Sequence, residues 1–201
     1  MSQQLQFDFG ATSLGLRPPG RRARQVWSKS DGLLFRIHPS PVELIEAAAH
    51  RTCRTHGLTG KPRGADQLHV SLVGVRRDEA TERGAAAAAA TVRAQAFDLT
   101  FDRMVSFRNG ETKPLVLLCR EGADRVIDLE RQIVEALNGI GLRVPRRAGF
   151  VPHCTLLYDS KLVPEMRIDR PIVVPVTAFH LLHRSDNGRL RRSVGSWPLL
   201  S

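Results

Sequence analysis

Two short stretches of this 201-residue chain can do acid-base chemistry: His69-Val70-Ser71-Leu72 and His153-Cys154-Thr155-Leu156. The chain has seven histidines, His38, His50, His56, His69, His153, His180 and His183, and five are followed two positions later by Ser or Thr. The bare H-x-[ST] pattern therefore carries no information here. Requiring Leu at the next position leaves only the stretches at His69 and His153, and two such matches arise by chance in roughly one sequence in two hundred of this composition. Both fall in segments that read as strands. On a strand, residues i and i+2 share a face. His69 therefore points with Ser71, and His153 with Thr155, while Val70, Leu72, Cys154 and Leu156 point into a core. The two stretches lie 84 residues apart, one in each half of the chain, which suggests two similar halves facing across a cleft.

Two opposed imidazoles suit in-line displacement at phosphorus. Near neutral pH one can be the base on the attacking oxygen while the other, protonated, is the acid on the leaving oxygen. The hydroxyls of Ser71 and Thr155 can donate to phosphate oxygens held between them. A strained cyclic phosphodiester needs no metal for this. The working assignment takes His153 as base and His69 as acid. The competing reading is a pair of strand histidines satisfied by ordinary core hydrogen bonds.

The elements that must position these groups follow from local pattern. LLFRI at 33–37 reads as a strand. Ser40 and Glu43 have capping-box spacing, with Pro41 as first helical residue, ahead of a helix running to about His56. Gly57–Asp66 is loop by composition. A strand over Leu68–Val75, a helix over 79–95 and a strand over Phe97–Phe107 follow. Asn109-Gly110 is a turn signal, Leu115–Cys119 a short buried strand, and Asp124–Leu137 a helix. A basic loop, Gly141–Gly149, leads into strands at about Val151–Tyr158, Ile172–His183 and Leu190–Trp197, the last two joined by a turn at Asp186-Asn187-Gly188. The order β-α-β-α-β-β-α-β-β-β favours an α+β fold with mostly antiparallel sheets over a doubly wound parallel one.

Composition bounds the rest. A hydrophobic share of 42% with 25% charged residues is that of a folded domain rather than a disordered or coiled-coil chain. No apolar run approaches the ~20 residues of a membrane span, and the first twenty residues do not read as a secretory signal. The net charge is +10. Residues 1–30 read as a basic, disordered tail with Arg17, Arg21, Arg22, Arg24 and Lys29 against Asp8, leaving +6 on a single domain over 31–201. That field favours an anionic partner. Three cysteines without C-x-x-C spacing argue for reduced thiols in a cytosol, not for a disulfide framework or zinc site. His180-x-x-His183 has the wrong parity for shared metal ligation on a strand. Arg143, Arg146 and Arg147 precede the second motif and are candidates for RNA phosphate contacts, although a solvated basic loop explains them equally. Phe35 and Tyr158 are candidates to stack a base, with Phe35 more often core in such a strand. Lys61, Arg63 and Asp66, in the loop before the first motif, take no assignment.

The chain resembles the 2H phosphoesterases, specifically the LigT-like 2′-5′ RNA ligase and cyclic phosphodiesterase branch, whose signature is one H-x-[ST]-hydrophobic motif per lobe. LLFRIHPSP at 33–41, Phe150-Val151-Pro152-His153-Cys154-Thr155-Leu156 and the ending FHLLHRSDNGRLRRSVGSWPL carry the likeness, over roughly residues 31–200. Members often have Arg five residues after the second His, where this chain has Tyr158. The resemblance implies a bilobal pseudo-twofold fold with two mostly antiparallel sheets forming a central cleft and helices outside. It implies hydrolysis of RNA 2′,3′-cyclic phosphate ends to 2′-phosphates, with weak reversible 2′-5′ ligation. The expectation from the chain as a whole is a cytoplasmic monomer without cofactor or membrane. A noncatalytic RNA-end binding module is one alternative. The other is an esterase of the same family acting on a small cyclic nucleotide or a 2′-5′ oligonucleotide.

Overall fold

The computed structural model describes residues 32–201, apart from 77, 109, 110, 147 and 185–189. The tail and the two turns expected at 109–110 and 186–188 therefore lie outside the described residues. Along the chain run β1 (Gly32–Ile37), α1 (Val42–His56), β2 (Val70–Arg76), α2 (Glu79–Ala89), β3 (Phe97–Ser106), β4 (Lys113–Cys119), α3 (Ala123–Gly139), β5 (His153–Asp159), β6 (Met166–Val176), β7 (Ala178–Arg184) and β8 (Leu190–Pro198). The strands form one antiparallel sheet in the order β6-β3-β4-β5-β2-β1-β7-β8. Its two four-stranded halves meet at a single residue pair, Val70 with Cys154. About that pair β2 answers to β5, β1 to β4, β7 to β3 and β8 to β6. The fold is thus α+β and bilobal, and the two expected sheets are halves of one sheet.

Each helix buries one stripe, as a 3.6-residue period demands. In α3 the stripe is Val126, Leu129, Ile133, Val134 and Leu137, and the helix packs on β2 of the opposite half. The stripe of α1, Ile45, Ala48, Ala49 and Thr52, packs towards β5, again of the opposite half, where the Thr52 hydroxyl bonds the Met104 sulfur. Each half of the chain therefore lends a helix to the other lobe, which locks the lobes about the central pair.

Four expectations need correction. The Ser40–Glu43 capping box does not form: Pro41 itself occupies the cap in an extended conformation, and no side chain caps the helix. The second helix ends at Ala89 rather than 95, because Ala94–Ala96 hydrogen-bond to Leu200 at the chain end instead of continuing the helical ladder. Its start is capped by Asp78, whose carboxylate accepts from the Thr81 amide and hydroxyl at 2.8 and 2.7 Å. The strand expected over Ile172–His183 is two strands broken at Thr177, since β6 pairs with β3 in one lobe and β7 with β1 in the other. Finally, β2 begins at Val70, so His69 is the residue just before it.

Candidate active site

The register across the sheet's centre brings the two motifs together. Val70 and Cys154 are directly opposed and fully buried. In an antiparallel pair the flanking residues then share the other face: His69 stands beside Thr155 and Ser71 beside His153. Both imidazoles are tethered in the same way. Nδ1 of His69 lies 2.7 Å from the Gln67 carbonyl, and Nδ1 of His153 lies 2.7 Å from the Val151 carbonyl. A carbonyl oxygen only accepts, so each Nδ1 carries its hydrogen, and in the neutral ring Nε2 is the acceptor nitrogen. The two halves thus repeat one device, a ring held by the carbonyl two residues before it.

Their surroundings differ. His69 is held down at about 4, chiefly by burial, with the positive charges of Arg36, Arg63 and His153 adding to the effect against the opposing Gln67 hydrogen bond. At neutral pH its Nε2 is an unprotonated acceptor. His153 instead meets the edge of the Phe107 ring, centroids 5.1 Å apart at 70°. Within the second motif, Cys154 offers no nucleophile, since burial pushes its thiol up to about 12.

The loop that delivers His69 is fastened to the other lobe. The Asp159 carboxylate, at the end of β5, accepts from the amides of Thr59 and Gly60, both at 2.7 Å, and from Lys161 at 2.9 Å. These amides hold its pKa at about 2. The Arg63 amide donates to the Leu156 carbonyl at 2.8 Å. Gly60 is required by the close approach: a Cβ there would sit 2.1 Å from the Tyr158 carbonyl oxygen. The result places the Arg63 guanidinium 5.2 Å from the centroid of the half-exposed Tyr158 ring and within electrostatic reach of His69.

The expected site residues thus divide. His69, Ser71, His153 and Thr155 converge. Tyr158 lies on β5 beneath Arg63. Phe35 is corrected: it is fully buried, packed 6.2 Å from both Phe179 and Trp197, with no face for a base. Turning it outward would forfeit about 1.5–3 kcal/mol of burial. Arg143 lines a separate cavity with Thr81 of α2, Glu130 of α3 and Val75 of β2, on the helix side of the sheet. Arg146 is exposed on its loop, and Arg147 lies outside the described residues. His180 and His183 do face opposite ways: His180 pairs with Arg36, and His183, buried, with Leu33. Among the described residues no three His, Cys, Asp or Glu side chains stand close enough to hold a metal.

Three residues at the site carried no assignment from sequence: Arg36, Arg63 and Phe107. Arg36 had a signal. It interrupts an otherwise apolar strand whose six residues are all buried, and a buried charge in such a run needs a reason. Arg63 and Phe107 had none, because loop anchoring and a cross-lobe ring contact leave no periodic trace.

A sequence profile described as the 2′-5′ RNA ligase superfamily matches residues 40–188. No curated protein sequence matches significantly. Among solved structures, E. coli LigT complexed with 3′-AMP superposes with a TM-score of 0.69 at 25% identity, over 84% of this chain and 98% of that one. E. coli LigT complexed with NADP+ gives 0.69 at 25% identity, over 86% and 99%. The Thermus thermophilus protein TT0787, at 18% identity over 83% and 97%, shares the fold with a TM-score of 0.66.

Proposed function

The chain belongs to the 2′-5′ RNA ligase superfamily of 2H phosphoesterases, and from that premise we propose that it opens the 2′,3′-cyclic phosphate at an RNA end to a 2′-phosphate, without a metal. One observation carries the reading: two imidazoles diagonally placed about the central residue pair of the adjoining lobes, each with its Nδ1–H tied to a carbonyl. The phosphate lies between them, its oxygens accepting from the Ser71 and Thr155 hydroxyls. Nε2 of His69, neutral because burial and nearby cations keep its proton affinity low, takes the proton of the attacking water. The new P–O bond forms as the P–O3′ bond breaks, and His153 gives its Nε2 proton to O3′. This reverses the assignment taken from sequence, for which the sequence held no electrostatic argument. With the 5′-hydroxyl of a second RNA in place of water, the same steps open the cyclic phosphate into a 2′-5′ linkage, O3′ again leaving with the proton from His153, which is the weak ligation expected of such a site.

A second reading is favoured by the relatives' ligands: E. coli LigT forms complexes with 3′-AMP and NADP+, so the substrate here can be a small cyclic nucleotide or a 2′-5′ oligonucleotide. The deciding experiment incubates the protein, with EDTA, with a 2′,3′-cyclic mononucleotide and with an RNA oligomer of the same cyclic end. Faster opening of the oligomer to a 2′-phosphate supports the RNA reading, and faster opening of the mononucleotide the small-nucleotide reading. Binding without turnover leaves only an end-binding module. Activity lost in EDTA and restored by zinc overturns the two-imidazole mechanism.

A further inference from the structure

The polar face does not end at Ser71. Arg36 of β1 is directly opposite Ser71, His180 of β7 directly opposite Arg36, and Ser196 of β8 directly opposite His180. Directly opposed residues share a face, so His153, Ser71, Arg36, His180 and Ser196 form one row across the sheet. His38, at the end of β1, falls beside His69 when the Ile37–Val70 pairing is continued by one residue. Burial and the Arg36 charge lower its proton affinity, against a smaller opposing effect of the Leu68 backbone.

Arg36 is the anomaly in this row. It is 8% exposed. Its Nη1 donates to the Asp66 carbonyl at 3.1 Å, but its Nε is buried without a partner. Among the described residues no carboxylate comes within ion-pair distance of it, although Asp66 attracts it from further off. A buried guanidinium without a paired anion is costly to keep. Here it is also surrounded by imidazoles: its charge lowers the proton affinity of His38, His69 and His180, in each case after burial. The fold thus holds a fixed positive charge, with unused donors, next to the catalytic pair, and the described residues supply no paired anion to answer it.

We propose that Arg36, with His38 and His180, is a second anion subsite that takes the 5′-phosphate of the nucleotide whose 3′ end lies between His69 and His153. This rests on the phosphoesterase reading for the orientation of the nucleotide. Adjacent strands are about 4.8 Å apart, so Arg36 stands one spacing and His180 two spacings from Ser71. That interval, about 5–10 Å, is spanned by one ribose carrying a phosphate at each end. Free Nε–H and N–H donors of a planar guanidinium match phosphate oxygens. The subsite makes the enzyme favour a terminal nucleotide that is 5′-phosphorylated, as every nucleotide within a strand is, over one ending in a 5′-hydroxyl.

The test is a binding comparison that needs no turnover. Adenosine 3′,5′-bisphosphate and adenosine 3′-monophosphate are titrated calorimetrically into the full chain and into Arg36→Gln, Arg36→Lys and His180→Gln. The bisphosphate is expected to bind at least about tenfold tighter to the native chain. Arg36→Gln should bring the ratio to within about twofold, Arg36→Lys should keep most of it, and His180→Gln should lower it about threefold. Equal affinities in the native chain overturn the subsite, even if Arg36→Gln does not fold. An undiminished ratio in a folded Arg36→Gln overturns the assignment to Arg36. Turnover of a cyclic mononucleotide separates the two readings. Turnover without a bisphosphate preference removes the subsite alone, and a preference without turnover removes the proposed activity alone.

Discussion

The two motif strands carry the same tether, imidazole and hydroxyl, yet they sit in unlike surroundings. At His69 the loop is pinned to the opposite lobe through Asp159, and Arg36 and Arg63 crowd the ring with positive charge. At His153 the neighbour is an aromatic edge, and the preceding residues 145–149 that are described are exposed. Symmetry of the backbone brings two identically tethered imidazoles to one face of the sheet. In the proposed mechanism the asymmetry of the surrounding side chains decides which of them is the base, since acid-base catalysis needs two unlike groups.

The largest effects test that inequality. His69→Ala or His153→Ala should each lower turnover of a cyclic phosphate by about 10²–10⁴, measured as kcat/KM. The two losses should diverge on a nitrophenyl phosphodiester, whose leaving group needs no proton. His153→Ala should then recover much of its loss and His69→Ala should not. Equal recovery in both variants would return the two histidines to interchangeability. Next come the hydroxyls: Ser71→Ala and Thr155→Val should each cost about 10–100-fold, in line with hydrogen bonds to a charged acceptor.

A pH profile examines the same asymmetry at smaller amplitude. A base whose pKa in the free protein is about 4 must be deprotonated to act, so kcat/KM should be flat below neutrality and fall only as pH drops through about 4. Arg36→Gln removes a neighbouring cation, raises the proton affinity of His69 and should move this limb to higher pH. A limb unmoved by that change would mean that Arg36 does not face the ring.

Much of this was legible in the chain. A period of two in HVSL and HCTL fixes which side chains share a face, and the order of strands and helices along the chain follows from apolar runs and turn signals. The meeting of His69, Ser71, His153 and Thr155 on one face was therefore readable from eight residues. What was not readable depends on register. Arg36 meets Ser71 only because of a bulge between β1 and β2 that offsets their pairing, and no local pattern encodes that offset. The wrong helix end at 89 has the same origin. Ala90–Gln95 has the composition to continue a helix, but the chain terminus, more than a hundred residues away, claims Ala94 and Ala96 by hydrogen bonds. Long-range pairing overrode local propensity in both places.

The smallest effect is expected from the loop anchor, and its sign is fixed by Asp159. The carboxylate's pKa is depressed to about 2 in the fold by the amides of Lys161, Gly60 and Thr59, against ~3.9 in an unfolded chain. Its stabilising contribution is therefore fully present above about pH 4 and is lost as pH falls towards 2, because protonation of the folded form then has to break those bonds. Asp159→Asn keeps the shape but removes the charge at every pH. Urea midpoints of native chain and variant should differ by a constant amount from pH 5 to 8, converge below pH 4 and meet near pH 2. Over the neutral range kcat/KM should fall only a fewfold, since His69 keeps its tether to Gln67 while the Arg63 side of the loop loosens. Gly60→Ala should reproduce the kinetic loss through a steric route, without the pH-dependent convergence. If Asp159→Asn alters midpoint and kinetics equally at pH 2 and pH 7, the anchor acts through packing and the charge of this carboxylate has no part in holding the first motif in place.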